Sequence, residues 1–133
     1  MTTMVLKARP LPKYTKAEES LNCISHALGV IMGVFVLIRC IGASTDAVSL
    51  VGSVVYGVSM ILLYLVSSTY HGINKQYLLA KQIMRVVDHC TINVLIAGCY
   101  TPVLLNVIYN KNPRQALILL AFVWIFAAVG IVF

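Results

Sequence analysis

Four long apolar segments dominate the pattern of hydrophobic and polar positions along the chain. They cover approximately residues 21–42, 47–70, 86–109 and 115–133, and short polar stretches separate them. At a rise of 1.5 Å per residue, each segment can cross about 30 Å of hydrocarbon as an α-helix. The pattern predicts an all-α, polytopic transmembrane helix bundle. Its consecutive helices should be antiparallel neighbours, because the connections are short.

Composition and charge also indicate a membrane environment. Hydrophobic residues make up 60% of the 133 positions, charged residues only 11%, and the mean hydropathy is +0.92. A soluble domain is closer to half apolar and a quarter charged. The net charge of +6 comes mainly from basic residues before and between the apolar segments, and no basic stripe with interleaved aromatic residues is present. This distribution argues against nucleic acid as a partner and indicates membrane lipid.

The loops also predict an orientation. One side of the bundle carries seven basic residues and the other carries three. The seven are Lys7, Arg9, Lys13, Lys16, Lys75, Lys81 and Arg85, and the three are Arg39, Lys111 and Arg114. Because basic loops stay on the inner side, residues 1–20 form a predicted cytoplasmic basic segment before a transmembrane domain at 21–133. We expect the plasma (inner) membrane as its location.

The fourth apolar segment ends the sequence at "AVGIVF", without a polar flank or a basic anchor. A terminus that leaves the membrane usually does so through a few interfacial residues. The sequence is therefore interpreted as the truncated beginning of a longer chain.

Polar positions recur at helical spacing within the first three segments. In the first, Asn22 and His26 share a face with Gly29 and Gly33, since their spacings are four, three and four. The two glycines form a G-x-x-x-G pattern, which allows a neighbouring helix to approach closely. The lower half of this face is polar and the upper half is adapted to packing.

The polar residues should meet at one membrane face. His26 lies one turn inside the first segment, Ser67 and His71 are at the end of the second, and Asp88 is at the start of the third. Antiparallel packing brings these three helix ends to the cytoplasmic side. Ionisable groups at membrane depth usually face the bundle interior and mark function. The residues alone leave two alternatives open: a polar network that only fixes helix packing, and an Asp88 that is solvated or paired with Arg85.

The chemistry open to this group is limited. The sequence has no nucleophile elbow and no glycine-rich phosphate loop. Imidazoles and a carboxylate suit a zinc site or an acid–base centre. A catalytic zinc needs three protein ligands, however, and only His71 is well placed as one, with His26 or Asp88 as weaker candidates.

Three motifs resemble those of the hemolysin III family, which belongs with the progestin and adiponectin receptors and the alkaline ceramidases. They are "AEESLNCISHALG" at 17–29, "SSTYH" at 67–71 and "RVVDHCTINVLIAGCYTP" at 85–102. The resemblance runs from about Glu18 to the end of the sequence. It implies a seven-helix membrane protein with a cytoplasmic N-terminus, of which the first four helices are present here.

The resemblance also implies zinc as a cofactor and assigns roles to individual residues. His71 would be a zinc ligand, and Asp88 would hydrogen-bond a water at the metal. Ser67 would lie one turn deeper, near the metal-bound water or the substrate carbonyl. Three further residues match the first-helix motif and are expected to support the site: Glu19, Asn22 and His26.

The sequence departs from the family pattern in its zinc ligands. Family members supply two more zinc ligands from an H-x-x-x-H motif on the last helix, and this sequence contains no such motif. The chain alone is therefore expected neither to hold zinc tightly nor to hydrolyse a substrate. A full-length protein is expected to be a zinc-dependent membrane hydrolase of lipid amides or esters. A channel-forming cytolysin and a lipid-responsive receptor without turnover are the alternatives.

Overall fold

The computed structural model describes residues 11–132, and this range contains four α-helices. They are α1 (Lys16–Ala43), α2 (Ala47–Gly72), α3 (Leu78–Val103) and α4 (Pro113–Val132), with a π turn at Leu104–Ile108 that continues α3. All four are long and apolar enough to cross a membrane. The prediction of an all-α membrane bundle is confirmed. Residues 1–10, which include Lys7 and Arg9 of the predicted basic segment, and residue 133 lie outside the described residues.

Helices α1 and α3 begin several residues before the apolar segments that they contain. Thr15 caps α1 through a capping box, in which its hydroxyl accepts from the Glu18 N–H at 3.2 Å and its own N–H donates to the Glu18 carboxylate at 2.7 Å. Likewise, α3 starts at Leu78, eight residues before the predicted span. Capping and backbone hydrogen bonds set a helix boundary, whereas hydropathy marks only the part that lies in lipid. The polar residues next to both spans are therefore helical.

The helices pack in the order of the chain. The backbone of α1 lies against α2, α2 lies against α3, and α4 lies against α3 and the π turn. Within residues 11–132, the backbone of α1 has no close approach to α3 or α4. As a result α2 separates α1 from α3 along most of its length, and side chains from both neighbours can meet where α2 ends.

The close approach predicted for the G-x-x-x-G pattern is present. A Cβ added at Gly29 would lie 2.6 Å from the ring of Tyr64, and one added at Gly33 would lie 2.9 Å from Ile61 Cγ1. Only glycine leaves room for these contacts with α2. The polar face of α1 is thereby fixed against the face of α2 that ends in His71.

Small polar residues lie inside the bundle and large apolar residues lie outside. Ser59 and Thr91 are buried, whereas Leu21 and Phe126 are about two-thirds exposed. This arrangement is the reverse of a water-soluble core, and it is expected where lipid solvates the outer surface. The exposed apolar side chains support the assignment to a bilayer.

Pro102 lies inside α3 and does not end it. Two residues later the hydrogen bonding changes, and the N–H of Tyr109 donates to the carbonyl of Leu104 at 2.9 Å within the π turn. Proline lacks the N–H that would continue the helical ladder, and π turns often occur beside such interruptions. The helix type therefore changes directly after Pro102.

Candidate functional site

The polar residues at one end of the bundle meet around the end of α2. Glu19 lies in the first turn of α1, His71 in the last turn of α2, and Lys81 in the first turn of α3. The capping box uses the carboxylate of Glu18, so that of the neighbouring Glu19 is free to face α2. The antiparallel order of the helices brings the three side chains to the same depth.

A hydrogen bond between His71 and Glu19 forms the centre of the site. The distance from His71 Nδ1 to Glu19 Oε2 is 2.8 Å, and the two side chains are only 9% and 12% exposed. A carboxylate can only accept, so Nδ1 is the protonated nitrogen and donates to it. In a neutral imidazole the lone pair is then on Nε2, which is the form that binds a metal or accepts a proton.

Lys81 binds the other oxygen of the same carboxylate. Its Nζ lies 2.9 Å from Glu19 Oε1, in an ion pair that is not aligned as a hydrogen bond, and it donates to the carbonyl of Ile73 at 2.9 Å. The ammonium is also 5.2 Å from the ring centroid of Tyr70. Lys81 is only 2% exposed. Glu19 is thus a bridge between an imidazole and a buried ammonium.

The sequence alone places Lys81 among the loop charges that orient the bundle. A signal of its burial was present, because Lys81, Arg85 and Asp88 are spaced by four and three and share one face if the helix begins before residue 86. Hydropathy does not reveal this face, because the apolar segment begins only near residue 86.

His26 lies deeper, between aromatic rings. Its ring centroid is 5.9 Å from that of His71 and 5.8 Å from that of Tyr64. Its Nδ1 is buried without a hydrogen-bond partner. A buried polar atom without a partner is costly and often marks a place where function needs a free group.

The structure brings the remaining predicted residues to the same end but not into the same hydrogen bonds. Ser67 is buried one turn before His71, and Asn22 is half-buried one turn after Glu19. The side chain of Asp88 is 15% exposed. The carboxylate that His71 Nδ1 contacts is that of Glu19 and not that of Asp88. The roles of Ser67, Asp88 and Asn22 remain predictions.

A cavity opens this cluster to the end of the bundle. Its volume is about 540 Å³, within the usual range of small-ligand sites. Six of the residues that line it are Lys16, Glu19, His71, Asn74, Lys75 and Lys81. The side chain of Lys75 donates to the carbonyl of Tyr14 at 2.6 Å, which ties the α2–α3 loop to the segment before α1. The cavity gives His71 access to a molecule that arrives from the basic side.

The arrangement fits one ligand of a zinc site and not a complete one. Metal-binding histidines commonly donate their second ring N–H to a carboxylate, as His71 does to Glu19. Between residues 11 and 132, however, no group of three or more His, Cys, Asp or Glu side chains could hold a metal ion. A catalytic zinc requires three protein ligands. His71 can supply one of them, and at least one further ligand would have to come from outside the described residues.

Residues 14–133 match the family described as Haemolysin-III related. The chain belongs to this family. This confirms the resemblance on which the site residues were assigned. No solved structure matches the chain significantly.

Two curated relatives extend the comparison of this hemolysin III family chain. It is 39% identical to "Hemolysin-3 homolog" of Bacillus subtilis (strain 168) in an alignment of 126 residues that covers 90% of the chain and 55% of that protein. It is 38% identical to "Hemolysin-3" of Bacillus cereus in an alignment of 133 residues that covers 98% of the chain and 58% of that protein. The chain thus spans slightly more than half the length of these relatives.

Proposed function

We propose that this hemolysin III family chain forms part of a zinc-dependent membrane hydrolase that acts on lipid amides or esters. The observation that supports the proposal is the bond from His71 Nδ1 to Glu19, which leaves Nε2 as a ligand. In this proposal the remaining zinc ligands come from a region of the relatives that the chain does not match. The chain alone is then inactive, because one imidazole binds zinc weakly.

In the proposed reaction, each site residue of this chain would have a separate role that follows from its position. Zinc held at His71 would supply a Lewis acid next to the substrate carbonyl. Asp88 would accept a proton from the attacking water, and Ser67, one turn deeper than His71, would donate a hydrogen bond to the carbonyl oxygen. The cavity beside Glu19 and Lys75 would admit the polar part of the lipid from the cytoplasmic side of the plasma membrane.

Zinc content tests the metal part of the proposal. The protein, at the full length of its relatives, is purified in detergent as wild type, His71→Ala and His89→Ala. His89 is a matched control because its side chain is 64% exposed and its Nδ1 lies 2.8 Å from the carbonyl of Arg85. We expect about one zinc per molecule in the wild type and in His89→Ala, and loss of most of it in His71→Ala. Wild-type protein without zinc, or His71→Ala with full zinc content, would contradict the proposal.

Release of fatty acid from an acyl amide lipid and from an acyl ester lipid tests the reaction. We expect Asp88→Asn to keep its zinc and to lower the rate by about 10²-fold to 10⁴-fold, as for loss of a general base. An Asp88→Asn protein with the wild-type rate would remove Asp88 from the mechanism.

A pore is the second candidate, because one relative is named "Hemolysin-3". In the described bundle the ionisable groups of the candidate site gather at one end, and the outer surface is apolar. Conductance steps in planar bilayers that persist after chelation of metal and in His71→Ala would favour the pore over the hydrolase.

A further inference from the structure

Lys81 stands out because it is one of the most deeply buried large side chains in residues 11–132, with 2% exposure. Lysine is almost never fully buried unless it is paired, since removal of an ammonium from water costs several kcal/mol. A lysine needed only to orient the bundle would be as effective at the surface. Its burial therefore calls for a specific role.

The contacts of Lys81 connect three segments. From α3, its ammonium reaches the Glu19 carboxylate on α1 and the Ile73 carbonyl just after α2, both at 2.9 Å. It also lies near the face of the Tyr70 ring on α2. These contacts fix the ammonium in place, so it can in turn hold the carboxylate that it touches.

The two oxygens of the Glu19 carboxylate have different partners, and this gives the contact with Lys81 its effect on His71. Lys81 is beside Oε1 of Glu19, and His71 is bonded to Oε2. A carboxylate with only one partner can rotate about its last bond and turn its oxygens away. With one oxygen held by the ammonium, the other stays directed at Nδ1 of His71.

We propose that Lys81 is a positioning residue of the histidine site: through Glu19 it fixes the His71 tautomer that carries its proton on Nδ1 and leaves Nε2 open. For its consequence in metal binding this inference rests on the proposed function. The tautomer itself is a property of the metal-free chain. A residue that only anchored the α2–α3 loop through Ile73 would not control it.

The tautomer can be measured directly, because the sequence has only three histidines. The chain is labelled with ¹⁵N-histidine, kept free of metal in detergent micelles at a pH of about 8, above the usual histidine pKa. NMR distinguishes a ring nitrogen that carries a proton from one with a lone pair. Spectra of His26→Gln and His89→Gln identify the signals of His71 by elimination.

The test compares Lys81→Met, which keeps an unbranched side chain as far as Cε and removes the charged group, with Lys111→Met. Lys111 follows the π turn at the other end of the bundle and controls for loss of one positive charge. We expect His71 to show a single tautomer, protonated on Nδ1, in the wild type and in Lys111→Met. In Lys81→Met the second tautomer should become visible. A folded Lys81→Met protein with the wild-type His71 signals would overturn the proposal and leave Lys81 as a loop anchor.

A second variant covers the case in which Lys81→Met does not fold. Lys81→Gln removes the charge but retains a donor for the Ile73 carbonyl, and the same two outcomes apply to it. At the full length of the relatives, we also expect Lys81→Met to weaken zinc binding by on the order of 10-fold to 100-fold. If the wild-type protein binds no zinc while the tautomer changes as expected, the proposed function fails and the positioning role of Lys81 stands.

Discussion

Glu19 is the residue on which the polar cluster depends. One oxygen contacts Lys81 and the other His71, and its side chain is 12% exposed. Removal of one member of a buried ion pair is costly, because the partner stays charged without compensation. The neighbouring Glu18 has the same side chain but only completes the capping box. The two adjacent carboxylates therefore have different roles: Glu18 caps α1, and Glu19 connects α1 to His71 and Lys81.

We expect Glu19→Gln to lower the free energy of unfolding by about 3–5 kcal/mol, because the buried Lys81 loses its counter-charge. Glu18→Gln is the matched control, and it should change stability little, since glutamine also serves in a capping box. Unfolding in mixed micelles, followed by far-UV circular dichroism, measures both variants. Equal effects of the two substitutions would contradict the assignment of Glu19 to a buried pair.

At the scale of the helices, close packing of α1 on α2 determines where His71 lies. A Cβ added at Gly57 would come within 2.9 Å of the Leu37 backbone Cα, a contact that no change of rotamer can relieve. The same helix pair carries Gly29 and Gly33 against α2, as the spacing of the glycines predicted. Packing along the whole length of the pair thus supports the polar end.

We expect Gly57→Ala to lower the free energy of unfolding by about 1–3 kcal/mol, because α1 and α2 must move apart. Gly42→Ala provides the control, since a Cβ at Gly42 has no neighbouring atom within 4 Å. Alanine is the better helix former, so this control should be neutral or more stable by up to about 1 kcal/mol. The same micelle unfolding assay applies. A Gly57→Ala protein as stable as Gly42→Ala would show that the approach at Gly57 is not tight.

Helix ends were less predictable than helix faces. Apolar periodicity identified the four spans and the face of the glycine pair, because lipid and close packing act on side chains at regular intervals. It missed the polar turns at Lys16 and Leu78, which backbone hydrogen bonds and caps control. Because Lys81 lies in such a turn, its burial was missed as well. Its ion pair with Glu19 joins residues more than 60 positions apart, and no local pattern reveals such a contact.

At the scale of the whole molecule, the distribution of basic residues predicts which end faces the cytoplasm. The end with the polar cluster carries Lys16, Lys75 and Lys81, and the other end carries Lys111 and Arg114. The structure shows that the helices alternate in direction along the chain, which is the condition for using loop charges in this way. Cytoplasmic placement of the cluster would open the cavity toward the inner leaflet.

Cysteine labelling in intact cells tests this orientation. In a chain whose four native cysteines are replaced by alanine, we introduce Asn74→Cys in the α2–α3 loop or Asn112→Cys in the α3–α4 loop. A maleimide that cannot cross the membrane should label the cysteine at 112 and spare the one at 74, because the basic side stays inside. Permeabilised cells, in which both should react, provide the control. The reverse pattern would place the polar cluster outside.

Because the helices pack in the order of the chain, the Glu19 carboxylate acts as a link between α1 and α3. The backbones of α1 and α3 have no close approach, yet Glu19 and Lys81 connect the two helices across the end of α2. Loosening of any of the three helix ends would break this connection and release His71 in the same event. Local opening at this end should therefore be cooperative. The imidazole would be either fully aligned or fully released, with no gradual loss of order between the two.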